Sequence, residues 1–237
     1  SEIRRIQKDS SKSENDESEN EEEQLVHEYI KKWDVLKLPN GYLLWETAKE
    51  LIIELAEIEI PVSDSYGRDL LKQYHAAPED KRDIIILYIL PSLCCKRGRG
   101  KCIGYVPSVQ EARKFFILHV TVNNYVPGDL KSAIKRHRTH LNTIGVRLQP
   151  ILIVVGQTIA NISATYVQID GVRYKPRTPV AALDACLKAY YALDAVYPQE
   201  CKAVWYFVQQ YFYNLYLKED ENISRVTSLI SSLKGLA

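Results

Sequence analysis

Residues 148–175, LQPILIVVGQTIANISATYVQIDGVRYK, set the fold class. The near-continuous apolar run 148–155 is short, uncharged and rich in β-branched residues, the pattern of a strand buried on both faces. Residues 166–169 and 172–175 then flank Asp170-Gly171, a dipeptide that favours a tight hairpin because both residues tolerate positive φ. Upstream, the apolar run 115–122 reads as a further strand, fed by a short helix at 107–114. Between these two strands Pro127-Gly128-Asp129 opens a helix carrying Leu130, Ala133, Ile134, His137 and Leu141, which Gly145 ends at a C′ position.

On the C-terminal side, residues 179–197 and 199–216 read as two long helices separated by Pro198. Ala182, Ala185, Cys186, Ala189, Tyr190 and Leu193 form the apolar stripe of the first. Val204, Trp205, Val208, Tyr211, Phe212 and Leu215 form that of the second. On the N-terminal side, Leu25, Val26, Tyr29, Ile30 and Trp33 recur at helical spacing, as do Leu44, Trp45, Ala48, Leu51, Ile52 and Leu55. A short helix carries Leu70, Leu71 and Tyr74. Another starts at Pro78-Glu79-Asp80 and is expected to end at Pro91. The expected class is α+β: a helical N-terminal half, then a small mixed or antiparallel sheet packed with two long C-terminal helices. The implied boundaries are an acidic leader at 1–23, a helical region at 24–95, a basic loop at 96–106, an α+β domain at 107–216, and a weakly attached tail or helix at 217–237.

The formal net charge of +1 hides a steep internal asymmetry. Residues 1–23 hold 4 basic and 9 acidic groups, and residues 10–23 contain nothing apolar, which is the composition of a disordered tail. Residues 96–147 hold 11 basic and 2 acidic groups, a local charge of +9. Apolar runs such as 84–90 and 151–155 are too short to cross a bilayer as helices. No secretory h-region opens the chain, and five cysteines are an odd number for a disulfide framework. An intracellular protein, nuclear or cytoplasmic, with no membrane partner is the expectation.

Several residue groups invite chemistry. Cys94, Cys95, Cys102 and His119 include zinc-type ligands, but adjacent cysteines point poorly at one tetrahedral centre and no C-x-x-C pair exists. His137 and His140 share a helix face at metal-site spacing, yet Lys135, Arg136 and Arg138 surround them and repel a cation, so a solvated basic face is expected. Glu200-Cys201-Lys202 has the E-x-K form of metal-dependent nucleases, with Asp184 and Asp194 upstream and Asp170 a further carboxylate, but it falls in the first turn of a helix rather than on a strand. No P-loop, G-x-G-x-x-G, H-E-x-x-H or G-x-S-x-G occurs. No catalytic residue, cofactor or metal ligand is therefore assigned. Two surfaces are: Lys96, Arg97, Arg99, Lys101, Lys131, Lys135, Arg136 and Arg138 for nucleic acid or an acidic partner, and Tyr206, Tyr211, Phe212, Tyr213 and Tyr216 for a protein partner.

The segments KRDIIILYILPSL (81–93), PSVQEARKFFILHV (107–120), LQPILIVVG (148–156) and VQIDGVRYK (167–175) form one pattern with residues 178–216. Within that last stretch the pattern comprises Ala182, Asp184, Cys186 and Lys188, then Tyr197, Pro198, Trp205, Gln209 or Gln210, and Tyr213. Over residues 80–216 the sequence resembles a widespread family of functionally uncharacterised animal proteins, often associated with mobile elements. It is similar to the C-terminal part of sterile-alpha-motif-domain-containing proteins. The resemblance implies a shared scaffold and no reaction, cofactor or catalytic residue. The expected function is a non-enzymatic protein-interaction module, and the resemblance implies its derivation from a mobile-element gene. The alternatives are a nucleic-acid-binding protein using residues 96–138 and, third, a metal-dependent nuclease.

Overall fold

Trp45 opens the first helix of the structure, a computed structural model that describes residues 43–95, 106–121, 129–143, 145 and 149–236. All of these belong to one unit, residues 39–237. The acidic leader, the expected helix around Leu25–Trp33 and the basic loop bearing Lys96, Arg97, Arg99 and Lys101 lie outside the described residues.

The helical half is built around a single buried rod. Helix α1 (Trp45–Glu59) and α2 (Ser65–Ala76) are amphipathic and turn Trp45, Ile52, Leu55, Leu70 and Tyr74 inward. Helix α3 (Glu79–Cys94) is buried on every side from Ile84 to Cys94, as its all-round apolar sequence requires. It does not stop at Pro91. An interior proline costs about 3 kcal/mol through its missing N–H and ring crowding. Burial of Leu93 and Cys94 in the extra turn offsets a comparable amount, about 1.5–3 kcal/mol for a large apolar side chain.

The mixed half begins with α4 (Val109–Phe116), which runs directly into β1 (Ile117–Val120). Helix α5 (Asp129–Thr143) then crosses to β2 (Ile151–Thr158). Strands β3 (Asn161–Ile169) and β4 (Val172–Tyr174) complete a four-stranded sheet in the order β1-β2-β3-β4. β1 and β2 are parallel, as a helical crossover demands, and the other pairs are antiparallel. The sheet is therefore mixed. Pairings such as Leu118↔Ile153 and Ile153↔Tyr166 put Leu118, Val120, Ile151, Ile153, Val155, Ala164 and Tyr166 on one face, and α5 covers it with Leu130, Ala133 and Ile134.

The β2–β3 hairpin has no strong periodicity signal in its second strand, where Asn161, Ser163 and Thr165 interrupt the apolar pattern. At Gly156 the register shifts in a bulge; a Cβ there would meet Asn161 O at 2.3 Å and Ile162 Cα at 2.6 Å. In the β3–β4 turn the positive φ, 47°, falls on Asp170 rather than on its glycine.

The C-terminal helices are shorter than the periodicity implies. α6 (Pro179–Ala192) is capped by Thr178 and stops before Leu193, which is 57% exposed and so contributes no core contact. The second is α7 (Lys202–Phe207), continued by a π-helical turn over Val208–Phe212. Buried Gln209 stabilises that turn: its amide donates to Leu215 O (3.1 Å) and Asp220 Oδ2 (2.6 Å), while its own oxygen accepts from the Tyr197 hydroxyl (3.1 Å). Helix α8 (Ser224–Leu236) is not weakly attached. It buries Val226, Leu229, Ile230 and Leu233, and Arg225 ties it to Leu93 O at 2.7 Å and to Glu59.

Candidate functional site

The β1 end of the sheet, an edge among the described strands, opens into a cleft of about 460 Å³ between α4 and α5. Its first wall depends on how α4 starts. Ser108 Oγ accepts from the Glu111 N–H (3.1 Å) and Ser108 N–H donates to Glu111 Oε2 (2.8 Å), a capping box that fixes the helix phase. With that phase Arg113 points inward, whereas Gln110 and Lys114, one turn apart, line the cleft from the exposed side.

Arg113 is a structural tie. Buried at 6% exposure, it donates from Nε to Tyr88 O (3.1 Å) and from its guanidinium to Ser92 Oγ, lies 3.8 Å from the Asp64 carboxylate, and stacks 4.6 Å over the Tyr66 ring. Asp64 also accepts from Ser92 Oγ (2.9 Å) and from the Gly67 N–H at the start of α2. The buried cation is thus compensated, and its effect is to hold Tyr66 of α2 and Tyr88 of α3 at the cleft.

Three imidazoles face the same space. His119 on β1 lies 3.0 Å from the carbonyl of Gly156 through Nε2. A carbonyl only accepts, so Nε2 carries the proton there and a neutral ring keeps its Nδ1 lone pair. His137 on α5 is half-buried with its ring edge against Phe115, centroids 6.1 Å apart. Burial, and then the neighbouring His140, holds its pKa below 6.5, so it is neutral at physiological pH. His140 is exposed one turn further on. No carboxylate lines the cleft among the described residues.

The fold divides the cations assigned from sequence. On α5, Arg136 lies four residues from His140 on the cleft side, while Lys131, Lys135 and Arg138 form the other exposed flank. Arg138 is engaged with the hairpin tip, donating to Asp170 O (3.1 Å) and lying 3.5 Å from its carboxylate. Lys114, Lys131, Lys135 and Arg136 are exposed and carry no ion pair among the described residues. The sequence pattern named His137 and His140 but missed Lys114, Tyr66, Tyr88 and Phe115, because their meeting depends on the α2–α3–α4 packing.

The aromatic surface assigned to the C-terminal helices is largely interior. Tyr206 and Phe212 are buried at 8% and 5%, Tyr211 and Tyr213 are half-buried, and Tyr216 is exposed. Tyr197 stacks on Trp205 and meets Tyr206 edge-on, while Phe212 packs on Trp45 and Phe207, so packing accounts for these rings. The carboxylates considered for metal chemistry do not converge. Asp184 is paired with Lys188 (3.0 Å) and the Tyr213 hydroxyl (2.5 Å), Asp170 sits at the hairpin tip, and Asp194 follows α6. Glu200 lies in the turn before α7, beside a separate cleft of about 140 Å³. Among the described residues no three His, Cys, Asp or Glu side chains are placed to hold a metal ion, and no helix is long and apolar enough to cross a membrane. Cys94, Cys95, Cys186 and Cys201 are buried, and Cys102 lies outside the described residues.

Comparison with models of protein families, with curated proteins and with solved structures returned no match to this chain.

Proposed function

We propose that this chain is a binding module for nucleic acid that works through the β1 cleft and the adjoining exposed face of α5. One observation carries the reading: a cleft free of described carboxylates, walled by Lys114 and three imidazoles, adjoins Arg136, with Lys135 on the other exposed flank of the same helix, and both cations are likewise unpaired among the described residues. Exposed cations left without carboxylate partners are available to phosphates and release counterions when they bind them. The fold adds an aromatic platform by bringing Tyr66 and Phe115 to the same cleft.

A protein partner is a second reading on this same surface, in the form of an acidic segment. It is favoured by the same unpaired cations, which suit carboxylates as well as phosphates. Descent from a mobile-element gene rests on the resemblance over residues 80–216 and belongs to the same proposal.

Fluorescence anisotropy of a labelled oligonucleotide across a salt series tests the reading. Three exposed cations, Lys114, Lys135 and Arg136, give an expected slope of log affinity against log salt of about −2 on a single strand. Reversing them to glutamate flattens it. A flat salt profile in the wild-type protein, or complete displacement by polyglutamate at charge-equivalent concentration, would overturn the nucleic-acid reading.

A further inference from the structure

We propose that the cleft seats one unpaired nucleotide, its base inserted between the α2 and α4 walls and its phosphate held by Lys114 and His140. The inference rests on the nucleic-acid reading and adds to it a preference for single strands. Its central observation is the Tyr88 hydroxyl. Tyr88 is 5% exposed, lines the cleft, and its hydroxyl has no hydrogen-bond partner among the described residues. Burial raises the phenol's pKa, so the group stays protonated and is a donor. Among the described residues four other buried side-chain polar atoms fall outside hydrogen-bond geometry, on Arg68, Tyr191, Glu200 and Trp205, and none of those residues lines this cleft.

A buried donor without an acceptor destabilises a fold, and an inserted group with a carbonyl or ring nitrogen would remove that cost. A nucleobase has such acceptors on its edge and two apolar faces besides. Tyr66, at 39% exposure, and half-buried Phe115 are the rings available to those faces. The phosphate side is equally specific in kind. Lys114 is exposed and has no ion pair among the described residues, and His140 lines the cleft from the opposite helix. A volume of about 460 Å³ is within the range of small-ligand clefts. A base still stacked in a duplex cannot enter such a cleft; an unpaired one can.

The test compares a labelled oligothymidine, the same backbone with abasic residues, and a duplex of equal length, each bound to wild-type protein and to Tyr88→Phe. Wild-type protein should bind the base-bearing strand about tenfold more tightly than the abasic strand or the duplex. Tyr88→Phe should remove most of that advantage and leave abasic and duplex binding unchanged. It should not lower thermal stability, because the oxygen it removes bonds no described residue. Equal affinity of wild-type protein for base-bearing and abasic strands overturns the nucleotide seat and needs no variant to interpret. Salt-dependent binding with no base dependence would refute the seat and leave the nucleic-acid reading standing; absence of binding to all three probes refutes both.

Discussion

Arg113 and Lys114 are neighbours in a basic stretch of sequence and have opposite fates. One is folded under α4 to hold Tyr66, Tyr88 and Ser92, and the other projects into the cleft with no described counter-charge. Charge counting treats the two alike; only the helix phase set by the Ser108–Glu111 capping box separates them. Gly156 has a comparable hidden role, since its carbonyl faces the His119 ring and its Cα fits against the β3 backbone. Gly156→Ala must displace backbone atoms and is expected to destabilise the fold by about 1–3 kcal/mol, read as a lower urea midpoint at unchanged m. His137 gives a pH signature. Its folded-state pKa is depressed below 6.5, so the unfolded chain takes up the proton first as pH falls. The stability it contributes is whole above its unfolded pKa and is lost as pH falls through the folded-state value. Between about pH 7 and about pH 5, His137→Gln should lose less stability than wild type in urea titrations. Asp83 and Asp220, whose pKa values are raised by burial, act in the opposite sense and are common to both proteins.

Among the elements, those with a strong period or a hard stop were legible: α1, α2, α5, the start of α6 at Thr178-Pro179, and the Asp170-Gly171 turn. Those set by tertiary packing were not. Pro91 reads as a terminator, but the turn beyond it is buried and the helix continues. Residues 193–197 continue an apolar pattern and still leave the helix, because nothing covers Leu193 or Val196. Gln209, an unremarkable polar residue in sequence, organises the π-turn through three hydrogen bonds. α8 reads as a loose tail, yet it fills the gap between α1, α3 and α7. Leu229→Ala, at 0% exposure, is expected to cost about 2–5 kcal/mol in chemical denaturation. The four described cysteines follow the same packing. Burial pushes the Cys95 thiol up to about 11 and holds Cys94, Cys186 and Cys201 higher than an ordinary thiol. With Cys102 replaced by serine, a thiol reagent should label the native protein slowly and all four sites rapidly after unfolding.

For the molecule as a whole, the α+β class and the helical N-terminal half are as the sequence pattern implied, and the proposed working surface is narrower than the +9 segment. Periodicity could assign cations to a helix, but it could not bring Tyr66 from α2, Tyr88 from α3, Lys114 from α4 and His140 from α5 to one cleft, because those contacts span long separations. Packing also absorbed most of the C-terminal aromatic surface. The proposed function therefore turns on location: nucleic acid should meet this protein at the β1 edge between α4 and α5. Photocrosslinking a 4-thiothymidine-bearing single strand to the intact chain, with the adducts mapped by mass spectrometry, reads that location out. Adducts are expected at Tyr66 and within residues 109–116 and 129–143, and should be lost after Lys114→Glu combined with Arg136→Glu; adducts confined to other surfaces, or unchanged by that pair, would contradict the proposal.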